Sequence, residues 1–236
     1  MKPRVIFEDE NLLVLDKPFG WVVNEAGTTG STPVVQTWLK ENFDYSLAGS
    51  RDERSGIVHR LDKDTSGILI VAKNLDSFRN LQLQFEERKV KKKYIALAHG
   101  RIDQKAGEVK VPVGRLPWNR ERFGVLPGGR DSQTSFKVIA HYKKDSNYYT
   151  LVELEPRTGR THQIRIHLKY LGYPIVADSF YAGRKTARKD RDFCPRLFLH
   201  AKEITFLHPV SGKNVRIRSE LPDDLNKTLD LLEKLP

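Results

Sequence analysis

The sequence predicts an α+β fold with a mostly antiparallel sheet. Strand-like segments outnumber helical ones, and there are too few crossover helices for a βαβ array. Neighbouring strand-like runs are joined by turn-length polar stretches, the mark of hairpins. No internal repeat and no low-complexity linker interrupts the 236 residues, so one domain is expected.

In order along the chain, Val5 to Phe7 and Leu12 to Leu15 flank the polar EDEN and read as a hairpin. Lys17-Pro18-Phe19-Gly20 turns into Trp21-Val22-Val23, GTTGSTP is loop, and residues 34–43 have helical character. Residues 44–54 are polar and read as a mobile loop. Ile57-Val58 and Ile68 to Ala72 read as buried strand ends. A helix follows over 75–90, with Asp76 as its cap and Leu75, Phe78, Leu81 and Phe85 at i, i+3, i+4 spacing. KKKYIALAHG alternates, placing Tyr94, Ala96 and Ala98 on one face of a strand.

Further strands are expected in EVKVPVG, TSFKVIAHY and YYTLVELE, interrupted by the Gly/Pro/Arg-rich insert RLPWNRERFGVLPGGRD. THQIRIHLKYLG reads as a helix capped by Thr161 and stopped by Gly172. Residues 177–196 read as a basic loop, and LFLHAKEITFLHP and NVRIRSE as a last antiparallel pair around Ser211-Gly212. The tail from Pro222 reads as a short helix.

Composition narrows the function. Hydrophobic residues at 39% supply a core, and 41 Lys+Arg against 30 Asp+Glu give a net charge of +11. Such an excess suits a polyanion, because cations that displace counterions from phosphates drive association. Charge alone does not separate nucleic acid from anionic lipid. No apolar run approaches the roughly 18 residues of a membrane span, and the N-terminus meets acids before any signal-like apolar stretch. The single cysteine, Cys194, excludes an internal disulfide and a thiolate-cluster zinc site. These features lead to the expectation of a cytoplasmic protein without cofactor or metal.

Motifs for several chemistries are missing. His162 and His167 are five apart, which turns them away from each other on a helix, unlike a zinc-binding i, i+4 pair. PGGRD matches neither a P-loop nor a dinucleotide fingerprint, and there is no Gly-x-Ser-x-Gly elbow. Carboxylate chemistry remains. Asp62 and Asp64 lie in HRLDKDTSG between apolar strand ends. Read as ordinary loop residues they are turn formers; read as chemistry, one is held in a cleft to react. His59 and Arg60 beside them can hold an anion. Downstream, Arg157, Arg160 and Arg165 span a predicted helix N-terminus, a ready anion site. Ile164 and Ile166 bracket Arg165 and draw it inward.

At this point HRLDKDTSGILIVAK resembles the signature segment of the RluA-type pseudouridine synthases. LVLDKPFGWVV is similar to their first motif, KKKYIALAHG to their Tyr-bearing strand, RTGRTHQIRIHLKYLGYPIVAD to their Arg-bearing segment and LFLHAKEITFLHPVSG to their final motif. The five segments occur in the family's order between Leu12 and Gly212. The resemblance implies a large, twisted, mostly antiparallel sheet with flanking helices and a central cleft. It also implies one catalytic domain over residues 1–236. Many relatives begin with a small RNA-binding domain; here the catalytic motifs start almost at residue 12, and no separate RNA-binding domain is expected.

The implied reaction breaks the uridine N1–C1′ bond, turns the uracil over and joins C5 to C1′. By the resemblance Asp62 is the essential carboxylate, attacking or stabilising ribose C1′ as in retaining glycosidases, or attacking uracil C6. Arg165 matches the arginine that pairs with it, and Tyr94 the tyrosine beneath the base. Leu61 and Leu199 wall the pocket. His59, Arg60, Arg160, Thr161 and Gln163 are candidates for holding a flipped nucleotide. Loops 115–130 and 183–196, with Arg120, Arg122, Trp118, Phe123 and Phe193, are candidates for gripping flanking RNA. The expected partner is ribosomal or transfer RNA, bound by a monomer with no obligatory protein partner and no membrane. Two other classes fit the charge and the carboxylate: an RNA-binding module without catalysis, which would tolerate loss of Asp62, and a nucleosidase or glycosidase, which needs a second, water-activating carboxylate such as Asp64.

Overall fold

The structure, a computed structural model, describes residues 1–236 apart from Thr28 and Trp118 and the side chains of Arg120 and Glu121. The strands are β1 (Arg4–Glu8), β2 (Leu12–Lys17), β3 (Ser66–Ala72), β4 (Lys91–His99), β5 (Ala106–Lys110), β6 (Val113–Leu116), β7 (Asn119–Val125), β8 (Gln133–Lys144), β9 (Asn147–Pro156), β10 (Leu199–Leu207), β11 (Asn214–Arg218) and β12 (Glu233–Lys234). The helices are α1 (Val35–Asn42), α2 (Leu75–Glu86), α3 (Gln163–Tyr170), α4 (Arg184–Asp190) and α5 (Asp223–Asp230). The fold is mixed α and β with a large, mostly antiparallel sheet. The chain forms two compact units, one from residues 1–91 and 201–219, the other from 92–200 and 220–236.

In the first unit, β1 and β2 form the expected hairpin. Asp9 closes its turn, the carboxylate accepting from the backbone N–H of Asn11 and Leu12. β2 pairs with β3 in unbroken register from Leu12–Ala72 to Lys17–Gly67. Every residue of β3 is buried, which is why it reads as a continuous apolar run rather than an alternating one. Leu12, Val14, Ile68 and Ile70 pack with Phe78 and Leu81 of α2 and Ile204 and Phe206 of β10. The cap of α2 is Asn74 and not Asp76: its side chain accepts from the Ser77 N–H at 2.9 Å, while Asp76 sits in the first turn. Residues 44–54 form hydrogen-bonded turns instead of a loose loop, tied by Ser55 N–H to Ser50 C=O and by Tyr45 Oη to Ser55 C=O.

In the second unit, β9 is paired on both sides, by β4 and by β8; β5 and β12 also pair with β8. The Gly/Pro/Arg insert is itself ordered as the β6–β7 hairpin, with Val113, Phe123 and Val125 packed on Ile166 and Tyr181. The basic stretch 177–196 holds helix α4, where the sequence predicted only loop. α3 begins one residue later than its motif predicts. Its N-cap is His162, in the left-handed region with φ 56° and no capping side-chain bond, so Thr161 is not the cap.

Candidate active site

Asp62 is partly buried in the turn that leads into β3, its carbonyl accepting from the Thr65 N–H at 3.1 Å. What fixes this turn is a side chain gathering backbone carbonyls. Lys17, fully buried, sends its ammonium to the carbonyls of Pro18 and Trp21, each at 2.9 Å, and to that of Lys63 at 3.3 Å. The Lys63 carbonyl also accepts from Gly20 N–H at 2.8 Å. A buried ammonium is tolerated only where its donors are satisfied. Lys17-Pro18 therefore braces the residue directly after Asp62. Gly67 closes the turn from the other end: its φ is +116°, and a Cβ there would lie 2.3 Å from the Ala201 carbonyl oxygen. Only glycine allows β3 to start so close to β10.

His59, Arg60 and Leu61 precede Asp62 in different settings. The His59 ring accepts from the Ile70 N–H through Nε2 at 2.9 Å and stacks on Phe85 with centroids 4.8 Å apart, so it is committed to holding the turn against β3. Arg60 is exposed, and Leu61 is buried. Beside the turn, Lys63 Nζ reaches Thr32 Oγ1 at 3.3 Å. Thr32, Trp21 and Trp38 line a cavity of about 780 Å³; Asp62 is not among its lining residues.

In the second unit, Tyr94 is buried in the middle of β4, opposite Leu154 of β9. Lys92, two residues earlier on the same strand face, has its pKa pulled down to about 8 by burial. Arg165 projects from α3 into a site where its side chain is only 3% exposed. Nε and Nη2 each donate to one carboxylate oxygen of Asp178 at 2.8 Å, a bidentate pair that takes two of the five guanidinium donors. Phe180 and Tyr181 flank it, with centroids 5.4 and 5.1 Å from its Cζ. Sequence reasoning passed over Asp178. Its signal was an acid beside two aromatics, in ADSFY, thirteen residues after a buried arginine.

The other predicted contacts divide. Gln163 spends its side chain internally: Oε1 accepts from Thr158 Oγ1 and Arg160 N–H, and Nε2 donates to Gln133 C=O and Thr134 Oγ1. It holds the segment that carries Arg160 rather than projecting outward. Arg160 donates from Nε to Asp131 C=O at 3.3 Å, Thr161 is partly buried, and Leu199 is buried at the start of β10. Arg122 lies 5.9 Å from the Phe180 ring, which places it in the Arg165 neighbourhood. Trp118 and the Arg120 side chain lie outside the described residues. Phe193 is buried against Tyr149, so it cannot serve as an open stacking surface.

The two histidines five residues apart differ in role. His162 Nδ1 meets Tyr181 Oη at 2.9 Å, and His167 lies fully buried between the Ser132 and Thr134 hydroxyls, its pKa pushed down to about 4 by burial. Among the described residues, no group of three or more His, Cys, Asp or Glu is placed to hold a metal ion.

Comparison with known proteins gives the family. The RNA pseudouridylate synthase family model matches residues 11–170, which contain Asp62, Tyr94 and Arg165. The ribosomal large subunit pseudouridine synthase D of Nitrosomonas europaea is 36% identical over 99% of this chain and 66% of its own length. An uncharacterized RNA pseudouridine synthase of Bacillus subtilis is 38% identical over 98% of this chain and 73% of its own. This chain thus spans about two thirds to three quarters of their length. The solved structure of human RNA pseudouridylate synthase domain containing 1 superposes with a TM-score of 0.76 at 26% identity, covering 99% of this chain and 89% of that one.

Proposed function

The chain belongs to the RNA pseudouridylate synthase family, and from that premise we propose that it isomerises uridine in structured RNA, with Asp62 as the essential carboxylate. The reaction is an isomerisation: N1–C1′ breaks, the uracil rotates, C5 joins C1′, and the C5 proton is replaced by one at nitrogen. No electrons enter or leave, so the chemistry needs no redox partner. Asp62 acts ionised, on C1′ or on C6. Tyr94 stacks on the base and takes the C5 proton, and Arg165, oriented by Asp178, supplies positive charge. Extruding a uridine from folded RNA costs a few kcal/mol, which the basic surface offsets through phosphate contacts.

The observation that carries this reading is the family match spanning all three residues, together with the braced turn that presents Asp62. The names of relatives from Nitrosomonas europaea and Pseudomonas aeruginosa favour large-subunit ribosomal RNA as substrate, ahead of transfer RNA. The protein acts as a monomer in the cytoplasm; among the described residues no helix is long and apolar enough to cross a membrane. Tritium release from RNA carrying 5-tritiated uridine tests the activity directly. Release with formation of pseudouridine supports it. Binding without release, or release of free uracil, refutes it in favour of a binding module or a nucleosidase.

A further inference from the structure

The sequence suggested that residues 183–196 grip RNA by mixing arginine with an aromatic. The structure takes the aromatic away, since Phe193 is buried against Tyr149, and turns the segment into helix α4. What remains is charge. Arg184, Lys185, Arg188, Lys189 and Arg191 are all exposed. At about 100° per residue they fall on one arc of about 160°, while Ala187 and Asp190, both buried, fall on the opposite side. Some cations of the chain are neutralised by neighbours: Lys93 by Glu153 and Glu155, Arg216 and Arg218 by Glu203. Among the described residues none of the five cations of this segment has an ion-pair partner. Asp190 is turned inward, leaving Asp192 as the exposed acid of the stretch.

The helix is also braced to the candidate site within its own unit. Asp190 accepts from the Ala177 N–H at 2.8 Å and meets His99 Nε2 at 3.0 Å. The residue after Ala177 is Asp178, which holds Arg165. The cationic face therefore stands at a fixed offset from Arg165, set by side-chain bonds rather than by a swinging loop.

We propose that the outer face of α4 is a docking surface for the phosphate backbone of the substrate RNA, contacting it away from the reacting uridine without reading bases. This rests on the RNA-modifying function proposed above. The test replaces Arg184, Lys185, Arg188 and Lys189 together by Gln and compares the variant with a charge-matched control carrying Lys105→Gln, Lys137→Gln, Lys213→Gln and Lys227→Gln, all at exposed positions. Filter binding to a large-subunit ribosomal RNA fragment gives Kd across salt concentrations, and tritium release gives KM and kcat. The expected result is a Kd and KM raised at least tenfold. The slope of log Kd against log salt should shrink by ~0.7–0.9 for each phosphate that is no longer neutralised, with kcat at saturating RNA within about twofold of the parent and the control unchanged. An unchanged Kd and slope overturns the proposal, as does an equally weakened control, which would assign the effect to net charge. If thermal melting shows the quadruple variant unfolded, the Arg188→Glu and Lys189→Glu single variants carry the same comparison. A parent protein that binds the RNA but releases no tritium sinks the enzymatic reading, while the binding arms still decide the surface.

Discussion

The Asp62 turn and the Arg165 site solve the same problem, holding one charged side chain in place, by different means. Around Asp62 side chains hold main chain: the Lys17 ammonium gathers three carbonyls, a ring nitrogen of His59 holds the β3 backbone, and a glycine lets β3 approach β10. Around Arg165 side chain holds side chain, a buried bidentate pair with Asp178 between two aromatic rings. The difference matters for what breaks each. A turn held through its main chain fails when the chain cannot follow its path. A buried ion pair fails when one partner is removed and the other is left charged in a low-dielectric site.

The largest effect is therefore expected at the pair. Asp178→Ala leaves Arg165 buried without this carboxylate and should cost ~3–5 kcal/mol, read from the urea unfolding midpoint. Replacing both partners by apolar residues, Arg165→Met with Asp178→Leu, should recover most of that stability while tritium release stays abolished. Recovery of activity in the double variant would remove Arg165 from the chemistry.

On the other side of the comparison, Gly67→Ala must adopt a strained φ and push the Ala201 carbonyl away from 2.3 Å. About 2–4 kcal/mol of destabilisation is expected from strain and overpacking together, again from urea midpoints. A change under about 0.5 kcal/mol would mean that the turn is softer than its geometry implies.

A smaller, pH-dependent effect belongs to the second unit alone. His167 has a folded pKa of about 4 against 6.5 for the free side chain. The neutral ring is favoured by folding, so the unfolded chain binds more protons between these values. Its contribution is fully present above pH 6.5 and declines as pH falls toward 4, with a slope of at most ~1.4 kcal/mol per unit. His167→Gln should flatten the acid limb of the stability profile by about one proton; an identical limb would contradict the assignment.

How far these features could be read in the sequence depends on whether their signal was local. The β1–β2 hairpin, the continuous apolar β3 and the closing β10–β11 pair were legible because hydrophobic period and turn chemistry lie within a few residues. Asp76 reads as the α2 cap in the sequence because an acid in the first turn and a true cap look alike; the backbone of Asn74 decides. Helix α4 was hidden by its composition, since a helix that buries Ala187 and Asp190 shows no apolar stripe. Asp62, Tyr94 and Arg165 are proposed as site residues by resemblance to a family. Asp178 was missed because a partner thirteen residues away is chosen by tertiary packing, and no spacing rule announces it. His59 and Gln163 are expected on the substrate; in the structure His59 Nε2 accepts from the β3 backbone, and the Gln163 amide donates to the Gln133 carbonyl and the Thr134 hydroxyl.

The central claim is that one carboxylate of the HRLDKDTSG turn does the chemistry and that the turn exists to present it. Asp62→Asn and Asp64→Asn are isosteric changes two residues apart, both at partly buried positions, and either should leave the fold intact. Tritium release from 5-tritiated uridine RNA under single-turnover conditions separates them. Asp62→Asn should lose at least ~10³ in rate with RNA affinity kept within about tenfold, while Asp64→Asn stays within about tenfold of the parent rate. Turnover retained in Asp62→Asn, or equal losses in the two variants, would contradict the account.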